Sequence, residues 1–181
     1  MPSGKVHDRI TVVGAIVALP AYFLLAPSPP DPLGAVTLTA ATLFSGFFLS
    51  PDLDLDSSVY RRWGPFRILW WPYQKLMPHR SILSHSFVLG PALRLLYFVA
   101  VVWASFRIMT WIASYFLKFD RNGISRQYAD SLVGLWQNYP WHVQMAALGI
   151  FLGTALHIGA DIVVSRWPRR WFRRKRRRQG R

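Results

Sequence analysis

Seven side chains able to ligate a metal stand at or near the ends of long apolar stretches: His7, Asp52, Asp54, His79, His85, His157 and Asp161. An ionisable group placed there is costly to keep unless it is paired or ligates something. All eight acids of the chain are Asp, and there is no Cys. The carboxylates are therefore not scattered for solubility, and neither a thiolate site nor a disulfide framework is available. Imidazole with carboxylate favours a divalent metal, zinc first and manganese or iron as alternatives, in one or two copies. Such an ion activates water and clamps the oxygens of a phosphoester. In that chemistry Asp52 and Asp54 bridge or act as base, and Arg80, with Arg61 or Arg62, contacts the anion.

Each pattern also has a plainer explanation. Asp52, Asp54 and Asp56 alternate, and alternate residues of an extended chain project the same way, so three carboxylates could meet at one point. The alternative is a helix stop whose Asp side chains cap the following turn. His79 and His85 flank the expected start of a helix, where Ser81 could serve as N-cap. His157 and Asp161, at i and i+4, share one helix face; without an ion they would form a structural hydrogen bond. His7 opens the first apolar run, and Asp8 is expected to orient its ring from behind.

Four apolar stretches must position these groups: 10–26, which Pro20 should kink, 33–50, 86–117 with Arg94 and Arg107 inside it, and 143–164. A spanning helix needs about 20 apolar residues. The expectation is an all-α, integral membrane helical bundle of about four apolar helices over residues 1–165, followed by a polybasic tail, 166–181. A soluble bundle of very apolar helices is the alternative. No cleaved signal is expected at the N-terminus, because the apolar run after Arg9 is long and no small-residue site closes it. The tail holds ten of the 22 basic residues and no acid, which leaves twelve bases against eight acids elsewhere. If the four stretches alternate across a bilayer, the metal-ligating side receives most of the Lys and Arg, and the positive-inside rule places both termini in the cytoplasm.

The connection 61–78 mixes arginines with Trp63, Trp70, Trp71 and Tyr73, which suits the headgroup layer; an ordinary packed loop is the alternative. The connection 118–142, with Asn122-Gly123 as a turn signal, reads as a polar link on the far side that carries His142. The tail suits anionic lipid. Nucleic acid could bind it through phosphates, without sequence specificity.

Several elements resemble a family of bacterial, largely cyanobacterial, metal-binding membrane proteins of uncharacterised activity. They are Met1-Pro2-Ser3-Gly4-x-x-His7-Asp8-Arg9, Ser50-Pro51-Asp52-Leu53-Asp54, Tyr60-Arg61-Arg62-Trp63-Gly64-Pro65, Pro78-His79-Arg80-Ser81-x-x-Ser84-His85 and His157-x-x-x-Asp161. The resemblance extends over about residues 1–165 and relates the chain to inner-membrane metal-dependent hydrolases of the YdjM type. It implies metal binding, and hydrolysis through that kinship. It also implies a multi-pass place in the bacterial plasma membrane or another internal membrane. The order His, Asp, His, then HxxxD is similar to the all-helical zinc phospholipase C and P1-type nuclease group, but the additional His ligands and N-terminal Trp of that group are not matched.

Overall fold

The computed structural model describes residues 4–77, 86–117 and 120–166. His79, Arg80, Ser81 and His85, and the tail from residue 167 onward, lie outside the described residues. Among the described residues there are seven α-helices and no strand. They are α1 (Gly4–Leu25), α2 (Pro32–Phe48), α3 (Ser58–Arg62), α4 (Trp71–Leu76), α5 (Leu89–Leu117), α6 (Arg121–Asn138) and α7 (Pro140–Arg166). Two 3-10 turns, Pro51–Asp54 and Gly64–Trp70, flank α3. α1, α2 with the turn that follows it, α5 and α7 are each long and apolar enough to cross a membrane. The most apolar 18-residue window of α5 has no residue buried within the protein. Such a surface, among the described residues, is compatible with apolar surroundings.

The protein is organised around the contact between α2 and α7. Gly149 and Gly153 bring the backbone of α7 against α2: a Cβ at Gly149 would stand 2.6 Å from the Leu38 carbonyl oxygen, and one at Gly153 would stand 2.7 Å from the Thr42 carbonyl oxygen and from Ser45 Cβ. Small residues spaced by four allow helices this close an approach. The polar residues in the contact are satisfied locally. Thr42 Oγ1 donates to the Leu38 carbonyl at 2.8 Å, and Ser45 Oγ crosses to the Ile150 carbonyl of α7 at 2.7 Å. α1 packs on both helices and continues through Pro20. Asp31 caps α2 by accepting from the Leu33 N–H at 2.9 Å, and Pro32 takes the first helical position, where its missing N–H costs nothing.

The two ends of the bundle differ. At one, Trp141 Nε1 donates to the Tyr22 hydroxyl at 3.0 Å, Tyr22 donates to the Asp31 carbonyl at 2.8 Å, and His142 Nε2 stands 2.8 Å from Asp31 Oδ2. At the other, residues 49–77 form an aromatic cap. Its core is Leu49, Leu53, Val59, Trp70 and Tyr73, with Trp63, Tyr97 and Phe98 packed against it. The expectation that Trp63, Trp70 and Tyr73 anchor in headgroups is therefore corrected: the rings of Trp70 and Tyr73 fill this core and half-buried Trp63 packs against it, where burial yields more than an interface does. Trp71, Phe66, Ile68 and Leu76 do remain exposed.

A second correction concerns the connection 118–142. Asn122-Gly123 does not turn the chain, because Asp120 caps a helix there by accepting from the Asn122 N–H at 2.9 Å. α6 then lies along α5, with Tyr128 stacked on Phe106 at 4.9 Å between ring centroids and Arg107 donating to Ser125 Oγ. That contact accounts for one of the two arginines in the long apolar stretch. The other, Arg94, is fully buried and donates to Thr154 Oγ1 of α7 at 3.2 Å. Asp54, Asp52 and Tyr73 all act on it electrostatically. A guanidinium keeps its charge at any physiological pH, so burial requires such partners. Burial also pushes the Tyr73 phenol up, against the pull of Arg94 beside it.

Two outcomes are expected from thermal unfolding of the detergent-purified protein. Gly153→Ala should cost about 1–3 kcal/mol by forcing α2 and α7 apart, while the same change at Gly134, whose Cβ would have only Asn138 Nδ2 at 3.7 Å, should gain up to about 1 kcal/mol of helix propensity. Equal effects at the two sites would refute the close-contact account. Arg94→Gln should cost about 3–5 kcal/mol, because buried carboxylates lose their cation, and Arg94→Lys should recover part of that loss.

Candidate metal centre

α1 carries His7 in its first turn, and the chain leaving α2 carries Asp52. α7 carries His157 and Asp161 near its end. The up-and-down path of the helices brings all four to the same end of the bundle. On α7 the residues fall on one stripe, Gly149, Gly153, His157 and Asp161, at intervals of four. The face that packs on α2 therefore becomes, two turns on, the face that offers ligands. Meanwhile α2 has stopped. Leu49 closes it by donating to the Ser45 carbonyl at 3.0 Å, and Pro51 opens the 3-10 turn that swings Asp52 over the α7 stripe.

His7, Asp52 and His157 each offer a ligand atom, and the three atoms lie within 4.8 Å of one another. His157 Nε2 is 3.5 Å from Asp52 Oδ1 and 3.7 Å from Asp161 Oδ2, and His7 Nε2 is 3.5 Å from Asp161 Oδ1. These separations are too long for N–H···O hydrogen bonds, which run about 2.7–3.2 Å. Each is close to the roughly 3.4 Å that separates two donors lying 2.0–2.1 Å from one divalent ion. The two imidazoles are stacked, with centroids 3.9 Å apart and planes at 17°. Both are buried, with side chains 7% and 2% exposed, and among the described residues His7 Nδ1 and His157 Nε2 make no hydrogen bond. A buried imidazole nitrogen left this way is unusual without an ion or water to meet it. Asp52 and Asp161 are 17% and 16% exposed, more than the imidazoles, although the Oδ1 atoms that face the rings are themselves buried. The residues present thus fit a divalent metal ion.

Asp54 shares the 3-10 turn with Asp52 but is buried and acts on Arg94. The expectation that three aspartates project together from an extended chain is corrected, because the turn is 3-10. Leu53 N–H donates to the Ser50 carbonyl at 3.1 Å and Leu55 N–H to the Asp52 carbonyl at 3.3 Å, and successive side chains then fan out by about 120°. Asp56 points away and meets Arg61 at 3.1 Å in an exposed pair. The capping alternative does not account for Asp52 or Asp54, because Ser57 caps α3 by accepting from the Tyr60 N–H at 3.2 Å. Asp8 pairs with Arg62, not with the ring of His7. Arg61 and Arg62 are thereby both engaged with acids.

Sequence reasoning missed two supports of the centre. Gln74 Nε2 donates to the carbonyls of Leu53 and Leu55 at 3.1 and 2.9 Å and holds the aspartate turn in place; no local pattern announces it. The glycine stripe was visible as Gly149-x-x-x-Gly153 in register with His157-x-x-x-Asp161.

An uncharacterized protein of Aquifex aeolicus (strain VF5) is 43% identical over 56 residues, a stretch that is 30% of this chain and 39% of that protein. The match therefore spans well under half of that relative's length. No solved structure matches the chain significantly. A family model described as "Uncharacterized metal-binding protein (DUF2227)" matches residues 2–171, which include every candidate ligand named above. Matched over nearly its whole length, the chain belongs to the DUF2227 family of uncharacterized metal-binding proteins.

Proposed function

We propose that this chain is an integral membrane protein that holds zinc at the end of its helical bundle and hydrolyses a phosphoester at the cytoplasmic membrane surface. The observation that carries the reading is the meeting of His7, Asp52 and His157, from three separate elements, with their ligand atoms within 4.8 Å of one another and the Asp52 side chain part-exposed. A metal ion bound there supplies an acidified water and a positive contact for a phosphoryl oxygen. The chain's own residues do the rest. His7 and His157 each offer an imidazole nitrogen from a packed helix. Asp161 faces both rings. Asp52, part-exposed, is placed to take the proton of an attacking water. Asp54 holds Arg94 against the turn that presents Asp52. Four helices long and apolar enough to cross a bilayer support the membrane reading, and the excess of basic residues in 166–181 supports a cytoplasmic, anionic lipid-contacting terminus. Zinc is preferred over manganese or iron on the donor set of imidazole and carboxylate. His79, His85 and Arg80 complete the proposed set of ligands and anion contact from the connection between α4 and α5.

The depth of the two imidazoles favours a second reading, in which the metal is held without catalysis. Metal content of the detergent-purified protein separates these cases when measured beside turnover of p-nitrophenyl phosphate. One or two equivalents of zinc are expected in the wild type. His157→Ala and Asp52→Ala should lose most of it, by the order of 100-fold in affinity or more, and should retain membrane insertion. Full occupancy in either variant would sink the ligand assignment. Zinc retained in the wild type with no phosphoesterase activity would select the non-catalytic reading.

A further inference from the structure

A groove of about 800 Å³ runs along the outside of the contact between α1 and α7, within the roughly 300–1,000 Å³ typical of ligand sites. Its walls are apolar, with Ile10, Val17 and Ala21 on α1 and Leu148, Leu152 and Leu156 on α7. It extends from Arg9 to Ala26, a rise of about 25 Å along a helix, which approaches the roughly 30 Å hydrocarbon thickness of a bilayer. The two ends differ in what they can offer a polar ligand. At one, the Tyr22 hydroxyl and Trp141 Nε1 are engaged with each other and with the Asp31 carbonyl. At the other, Arg9 is exposed and makes no ion pair or hydrogen bond among the described residues. Arg9 lies two residues after His7, and Leu156 immediately precedes His157, so the cationic end of the groove is level with the stacked imidazoles.

We propose that this groove takes the hydrocarbon chain of a phosphate-bearing lipid, with Arg9 holding the phosphate at the height of the metal centre. The proposal rests on the phosphoesterase reading and names its substrate class. A helix from a partner or from a second copy fits less well, since an apolar helix face laid on these walls would leave the exposed guanidinium of Arg9 unmet at the groove's end. The charge also points to lipid: an apolar channel with one uncommitted cation at one end matches an anionic headgroup on a single long chain.

The test uses the full chain in a non-phospholipid detergent, with phosphatidic acid brominated in its acyl chains as the probe and tryptophan quenching as the readout. Trp141, at the groove's far end, supplies the signal, isolated by subtracting the response of Trp141→Phe. Wild type should show saturable quenching. Arg9→Gln should bind about fivefold more weakly, as expected for one cation at an anionic lipid surface. The double variant Val17→Phe/Ala21→Phe, which fills the groove from exposed and half-buried positions, should lose the saturable component. Both variants should keep the metal content of wild type, which shows that they are folded. Brominated phosphatidylcholine, with the same chains and a capped phosphate, should bind more weakly and without dependence on Arg9. Equal quenching in all variants would mean annular lipid only and would overturn the proposal, as would cross-linked dimers that the filled groove abolishes. Saturable, Arg9-dependent quenching without hydrolysis would keep the groove and overturn the phosphoesterase reading. Turnover of p-nitrophenyl phosphate with quenching that ignores the groove would do the reverse.

Discussion

The close approach of α2 and α7 is the constraint on which the rest depends. Where Gly149 and Gly153 meet Leu38, Thr42 and Ser45, no side chain separates the two backbones. Dispersion across such a contact is strong because so many atoms reach optimal separation together. The consequence for the site is one of register. His157 and Asp161 continue the glycine stripe, so the distance at which the glycines hold α7 from α2 also sets the distance from His157 to Asp52 at the end of α2. A metal site tolerates about half an ångström of error in donor placement, which a single added methyl at Gly153 would exceed. The same residues thus bear on stability and on coordination.

Charge at the site end of the bundle is divided by partner. Asp8 and Asp56 pair with Arg62 and Arg61 at the rim, where solvent screening keeps each pair weak. Asp54 acts on Arg94 in the interior, where losing the cation would be expensive. Asp52 and Asp161 face imidazole nitrogens at distances that suit a shared ion better than a hydrogen bond. One residue type therefore serves as surface counter-charge, as buried anchor for α5 and as candidate ligand, and the separation follows from which element each aspartate leaves and how it turns.

This division explains what was legible in the sequence. The four long helices could be read because apolar runs of that length have few other uses, and His7, Asp52, His157 and Asp161 stood out because little else polar occurs near them. The convergence of His7, Asp52 and His157 followed from simple alternation of the helices. What could not be read depended on contacts remote in sequence or on a choice between local geometries. Asp52-Leu53-Asp54 suits an extended strand as well as a 3-10 turn, and the turn prevails because Leu53 and Leu49 enter a core built from Trp70 and Tyr73 some twenty residues later. Asn122-Gly123 is a turn signal until Asp120 caps the helix ahead of it. Arg94 read as an anomaly within an apolar span because its partners lie on the aspartate turn, on α4 and on α7.

Placing the centre at the end of the bundle meets two demands that conflict deeper inside it. Ligands must be held rigidly, which helices packed on both sides provide for the stacked rings of His7 and His157. A metal centre must also be reached by its ion, which a fully enclosed site in an apolar bundle would hinder. At the end of the bundle the imidazoles remain under the packing of α1 and α7, while Asp52 and Asp161 reach the boundary with solvent. The aromatic cap sharpens this arrangement. Trp63, Trp70 and Tyr73 pack against α5, and Gln74 grips the aspartate turn from the same side. A loop at the mouth of the bundle thereby has a core of its own, and the turn that carries Asp52 is tied to it through Leu53 and Gln74.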